Sequence, residues 1–169
     1  MRWFHVVAKI CKSLGLYHLI LDRENNEPYL HRYYLLNTRW LDPIFPKLSY
    51  RLVLHNCVKS DIDGLHDHPW DWKSMILEGG YWETLPIVNN DSMTEDIKPQ
   101  KVRRIWRGPG NGWRSCKSTD YHRLELPHEG AECWSLFLMG PRKKDWGFQD
   151  RNGNWVRWDE YINNREKYI

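Results

Sequence analysis

Apolar residues recur at helical spacing in one stretch of the chain only. Trp3, Val7, Ile10 and Leu14 fall three or four positions apart and stop at Gly15, so residues 1–15 predict a short amphipathic helix laid on the rest of the fold. Beyond Gly15 the pattern changes to short apolar runs punctuated by Gly, Pro, Asn or Asp, the mark of strands and turns. Leu16 to Leu21 and Tyr29 to Leu36 flank the turn-rich Asp22-Arg23-Glu24-Asn25-Asn26-Glu27-Pro28 and read as a hairpin. Further strands are predicted near residues 49–58, 66–78, 81–85, 101–107, 121–126 and 133–139. Pro86 to Pro99, with Asn89-Asn90-Asp91-Ser92, reads as a loop, either a lid or an insertion. Trp155 to Tyr161 reads as a final strand or turn packed outside, before a frayed polar terminus. Many short strands with regular turns predict an all-β sandwich or jelly roll.

Within this pattern the informative segment is Gly64-Leu65-His66-Asp67-His68-Pro69-Trp70-Asp71-Trp72, followed by the apolar Ser74-Met75-Ile76-Leu77 and the stop at Gly79-Gly80. Side chains alternate between the faces of a strand, so His66 and His68 point the same way, close enough to grip one metal ion. Two histidines at i, i+2 also fall by chance on the wet face of a strand. The glycine before, the turn-forming Pro69 after and the strand closed by two glycines favour an organised corner instead. A third ligand is needed, and His122 has the best context, because His122, Leu124 and Leu126 share one strand face. His55 sits among Val53 and Cys57 and fits a packed histidine as readily as a pocket residue. His5, His18, His31 and His128 read as ordinary surface or half-buried residues.

Gly64, His66, His68 and Gly79 or Gly80 resemble the first motif of the cupin superfamily with a shortened lead, and His122 resembles the histidine of its second motif. Trp72 and Lys73 stand where the family carries its motif glutamate, so the acidic ligand is either the nearer Asp71 or missing. Leu126 stands where an Asn is common, and Pro109-Gly110 lies well before His122. The wider pattern is similar to a group of small cupin-like proteins of bacteria and phages: His-Asp-His-Pro-Trp-Asp, Gly-Gly-Tyr, Tyr-His-Arg, and Gly-Pro-Arg before Asp-Trp-Gly-Phe. That resemblance runs from about Tyr29 to Trp158 and implies a cupin-type double-stranded β-helix, a jelly-roll barrel, with a divalent metal ion such as iron, manganese or zinc.

Composition adds the walls of such a site. The 169 residues fit one domain without a linker or low-complexity run, and they include 11 Trp and 9 Tyr against 4 Phe. Aromatics with a polar handle serve half-buried places such as pocket walls, although β-rich cores use them too. Trp70, Trp72 and Trp82 flank the proposed metal strand, and Tyr121 precedes His122, so these are candidate pocket residues. The net charge of +3 is mild, but Lys98, Lys101, Arg103, Arg104 and Arg107 gather in one segment and Arg142-Lys143-Lys144 in another. Such runs usually form solvated faces. Alternation from Lys101 to Arg107 sets Val102, Arg104 and Trp106 on one face, which makes Arg104 the basic residue expected to face the barrel and hold an anionic group. No recognised nucleic-acid motif accompanies the charge.

The four cysteines are scattered, without a Cys-x-x-Cys, and read as reduced thiols of a cytoplasmic protein. Charges in the first twelve residues are too frequent for a signal-peptide core or a membrane span, and the helical stripe there reads as core or homodimer packing. Two functions follow. One is a metal-dependent enzyme acting on a small anionic molecule, the metal polarising substrate oxygens or binding dioxygen. The other is a non-catalytic barrel that sequesters an anionic or nucleotide ligand on the same histidines, with Arg and Trp.

Overall fold

The computed structural model describes residues 2–41, 43–87 and 101–168. In chain order its elements are α1 (Trp3–Ser13), β1 (Tyr17–Leu21), β2 (Pro28–Asn37), β3 (Arg51–Cys57), β4 (Trp70–Gly79), β5 (Tyr81–Pro86), β6 (Val102–Arg107), β7 (Arg114–Cys116), β8 (Arg123–Glu125), β9 (Cys133–Arg142), β10 (Gly147–Gln149), β11 (Trp155–Arg157), α2 (Trp158–Asn163) and α3 (Arg165–Tyr168). Nearly all of the loop expected between Pro86 and Pro99 lies outside the described residues.

The strands form two antiparallel sheets that face each other, the all-β sandwich that the strand pattern predicts. The larger runs β1-β2-β3-β9-β4-β7 and the smaller β6-β5-β8, with β10 and β11 as a separate pair. Which residues face the opposing sheet follows from the two-residue period of the side chains. On β3, Val53 and His55 share one face while Leu54 takes the other, and on β9 Ser135 and Phe137 oppose Trp134 and Leu136 in the same way. The inward set meets Tyr81 of β5 and Leu124 of β8 across the sandwich, where Cys57, Ile76, Leu126 and Cys133 complete a core between the sheets.

The chain passes from the large sheet to the small one at Gly79-Gly80. Gly79 has a φ of 70°, and a Cβ there would come 2.0 Å from the carbonyl oxygen of Glu132, so no other residue makes this turn without moving its neighbour.

The outward set of β2, β3 and β9 is covered by α1. Phe4, Ala8 and Cys11 of the helix are buried against Tyr33, Leu54 and Trp134, with Val7 packed beside them. This corrects the expected stripe: Trp3, Ile10 and Leu14 are exposed, and of the four only Val7 packs inward. The small Ala8 and Cys11 let the helix axis approach the sheet, which turns the larger apolar residues away from it.

The C-terminus also differs from the expectation. Trp155 opens a strand as predicted, but the segment after it forms α2 and α3, not a frayed tail. Tyr161 and Tyr168 are buried with Phe148 and Val156, and the Phe148 and Tyr161 rings stack 4.3 Å apart. This cluster supports β10, which in turn holds the histidine segment. No helix among the described residues is long and apolar enough to cross a membrane.

Candidate metal centre

His66 and His68 do not lie on a regular strand. They sit in the segment before β4, where His66 forms isolated bridges to His122 on one side and to Phe148 of β10 on the other. His66 and His122 exchange backbone hydrogen bonds of 3.0 and 2.9 Å, so the two residues stand directly opposite each other. Asp67, between the histidines, points the other way and is fully buried. It accepts hydrogen bonds from Gly147 N at 2.8 Å and Trp155 Nε1 at 3.2 Å and pairs with Lys144. The alternation that sends Asp67 into β10 and β11 sends both neighbouring imidazoles toward the cavity.

Three imidazoles meet there. One ring nitrogen from each of His66, His68 and His122 lies within 4.8 Å of the others, and His68 Nε2 is 2.8 Å from His122 Nε2. Two nitrogens sharing one ion at about 2.0–2.1 Å would be roughly 3 Å apart, so the spacing of His68 and His122 suits a shared ion, with His66 beside them. The donor set fits for a second reason. Glu83, on β5, accepts from His122 Nδ1 at 2.9 Å, which leaves the lone pair of neutral His122 on Nε2, facing His68.

Glu83 is fully buried, with Arg107 Nε donating to it at 2.8 Å and Arg114 Nη1 2.7 Å away as an ion pair without hydrogen-bond alignment. Burial alone would raise its pKa. The hydrogen bond from His122, with the two arginines, outweighs burial and holds the carboxyl below its ordinary range. An anionic residue therefore sits behind His122, not against the cavity.

Burial holds the other imidazoles neutral. It pushes His66 down to about 4, with His122 adding to the shift and Asp61, whose Oδ2 lies 3.9 Å from His66 Nδ1, opposing it. Burial first, then His122 and His66, carry His68 well below its ordinary value, and burial with the charge of Arg32 does the same to His55. Neutral imidazoles bind a cation without first losing a proton.

These shifts also bear on stability. Below pH about 6.5 the unfolded chain takes up protons that folded His55, His66 and His68 refuse. The chelator-treated protein should therefore lose stability as pH falls from 6.5, the His66 share being spent by about pH 4. Each such group contributes about 1.4 kcal/mol per pH unit inside its window. Urea unfolding at stepped pH measures this, and an unchanged midpoint between pH 7 and 5 would contradict neutral, buried imidazoles.

The histidines open on a cavity of about 370 Å³. Trp70 and Trp72 line it: the Trp70 ring stacks on His68 at 6.1 Å, and buried Trp72 lies 5.1 Å from His122 and 4.9 Å from Phe137. His55 lines it too, its ring 4.8 Å from Phe137.

Four expected residues stand elsewhere. Asp71 falls between the inward Trp70 and Trp72, so its carboxylate is outside, accepting from Ser118 N at 2.9 Å and from Lys143 Nζ at 2.5 Å. Arg104 and Trp82 lie on the solvent face of the small sheet, where Arg104 pairs with Glu125 at 3.1 Å and covers the Trp82 ring at 5.2 Å. The alternation on β6 was sound, but the inward face is the one carrying Arg107. Tyr121 borders a separate surface depression with Asp67, Lys144 and Trp155, and burial followed by the charge of Asp67 pushes its pKa up to about 12.

The sequence reading missed Glu83, Asp61 and Arg32. Glu83 carried a signal, since alternation from Tyr81 sets it on the inward face of β5. Asp61 accepts from Leu124 N at 2.6 Å and from the Tyr29 hydroxyl, in a loop with no periodicity to reveal it.

No protein-family model matches the sequence, and no curated protein matches it. Among solved structures the chain is similar to Fe(II)-HppE with the alternative substrate (S)-1-HPP, at 11% identity over 75% of this chain and 56% of that one, with a TM-score of 0.47. It is similar to oxalate oxidase in complex with the substrate analogue glycolate, at 12% identity over 76% and 59% of the two chains and a TM-score of 0.47. A putative mannose-6-phosphate isomerase from Ralstonia eutropha shares 13% identity over 73% of this chain and 91% of its own, with a TM-score of 0.45. The chain thus spans little more than half the length of the first and second of these proteins.

Proposed function

We propose that the protein is a metal-dependent enzyme acting on a small anionic molecule, with a divalent ion, iron, manganese or zinc, held by His66, His68 and His122. The observation that carries this reading is the convergence of three imidazoles at the wall of a cavity, with a buried Glu83 fixing the proton of His122 on Nδ1. When bound, the ion supplies Lewis-acid polarisation of a substrate oxygen or a site for dioxygen. The remaining work belongs to the chain. Glu83 orients His122 and keeps its Nε2 lone pair available, while Asp67 ties the backbone between His66 and His68 to β10. Trp70, Trp72 and Phe137 form an apolar wall that excludes water beside the histidines. Four buried, free cysteines suit a reducing compartment, and a cytoplasmic location is part of the proposal.

The experiment separates an enzyme from a binder. Ligand that co-purifies with the protein is identified by mass spectrometry and returned to the metal-loaded protein. An enzyme converts it and stops when a chelator removes the metal. Ligand recovered unchanged, with binding indifferent to chelation, would replace this reading with that of a sequestering protein.

A further inference from the structure

Two arginines line the cavity, and they differ in their partners. Arg23 lies 3.5 Å from Asp63 and covers the ring of Trp146 at 5.5 Å. Arg32, on β2, has no carboxylate within ion-pair distance among the described residues, and its Nε is buried without a hydrogen-bond partner. The groups that stabilise its charge are the phenols of Tyr34 and Tyr29, while Arg51 adds a like charge nearby. A guanidinium does not shed its proton under these conditions, and a buried charge without a counter-charge is expensive to keep.

Directly across the strand pair from Arg32 stands His55, and its Nε2 is also buried without a partner. Both residues line the cavity that His66, His68 and His122 line.

The carboxylates around this cavity are already engaged. Asp22 pairs with Lys59, Asp63 with Arg23 and Arg165, and Asp61 accepts from Tyr29 and Leu124. Glu83 is matched by Arg107 and Arg114. A dication held by the three imidazoles would add two positive charges to that of Arg32. Asp61, whose hydrogen-bond donors are neutral, offsets only one of them, which leaves a net positive chamber suited to an anionic ligand.

We propose that Arg32, with His55 beside it, anchors the carboxylate of the ligand, a small organic acid whose other end reaches His66, His68 and His122. The planar fork of Arg32 matches the two oxygens of a carboxylate, and His55 supplies a third donor in the tautomer with its proton on Nε2. A phosphate would present more charge and more oxygens than these donors satisfy. The far end of the ligand is placed by the metal-centre reading, on which this part of the inference rests.

The test uses propionate, succinate and glutarate, each beside its amide, and inorganic phosphate as a further probe. Binding to the full chain is measured by calorimetry with and without Mn(II), and bound metal is measured separately. At least one acid should bind at least about 10-fold more tightly than its amide, and Arg32→Gln should weaken that acid about 10–100-fold with the amide and the metal content unchanged. Arg32→Lys, which keeps the charge but not the fork, should fall between the two and guards against a folding defect in the first variant.

Equal binding of acids and amides, no binding of any acid, an unaffected Arg32→Gln, or phosphate as the tightest Arg32-dependent probe would each overturn the assignment of Arg32. Acid selectivity that depends on Arg32 in a protein that binds no metal would support the anchor and overturn the metal-centre reading.

Discussion

Replacing His68 or His122 with alanine will lower affinity for a divalent ion by orders of magnitude while the sandwich stays folded. Each change removes one of three nitrogen donors, and the two remaining imidazoles bind an ion far more weakly than three held in place. The fold does not depend on these rings to the same degree. Its core lies between the sheets at Ile76, Tyr81, Leu126 and Cys133 and under α1 at Phe4, Leu54 and Trp134. His18→Ala is the control, since His18 is exposed on β1 and is not one of the three converging imidazoles. Competition against a chromophoric chelator gives the affinities, and circular dichroism reports the fold. His122→Ala with wild-type affinity would remove His122 from the site.

Glu83→Gln is expected to be the most damaging conservative change in the chain. The substitution keeps the shape of the side chain but removes a charge that two arginines and His122 share in a fully buried position. Breaking a buried ion pair by removing one partner typically costs about 3–5 kcal/mol, because the other charges stay buried without compensation. The loss should appear in urea unfolding, together with a fall of about 10–100-fold in metal affinity as His122 loses its anionic support. Glu78→Gln removes a partly exposed single pair with Arg2, and such a surface pair is worth about 1 kcal/mol. Equal effects of the two substitutions would contradict the role given to Glu83.

How far these features can be read from the sequence depends on what fixes each one. The strand runs are legible because period-two alternation is local, and β2, β3, β5, β6 and β9 fall where it predicts. The histidine triad is legible because Asp67, between His66 and His68, has to face the opposite way, and because His122 heads an apolar strand face. The short β7 lacks a run long enough to announce itself.

Alternation defines two faces without saying which is inward. That is why Arg104 was assigned to the cavity and Arg107 was not, since the choice is made by the opposing sheet, and Trp82, chosen for its place beside the histidine strand, falls on the outer face with Arg104. The same limit applies to α1, where two apolar stripes one position apart compete and the small residues win the contact. Arg32 was overlooked because it sits between two aromatic-rich segments in a strand whose other face feeds α1. The terminal helices were hidden because Tyr161 and Tyr168 are widely separated among charged residues, and only their contact with Phe148 and Val156 makes them core.

The most direct test is the metal content of the wild-type protein. After equilibration with Fe(II), Mn(II), Zn(II) and Ni(II) in turn, followed by dialysis, elemental analysis should find about one ion per chain for at least one metal, and His68→Ala should retain far less. A wild-type protein that remains metal-free after all four, while folded, would contradict the assignment of His66, His68 and His122 as a metal centre.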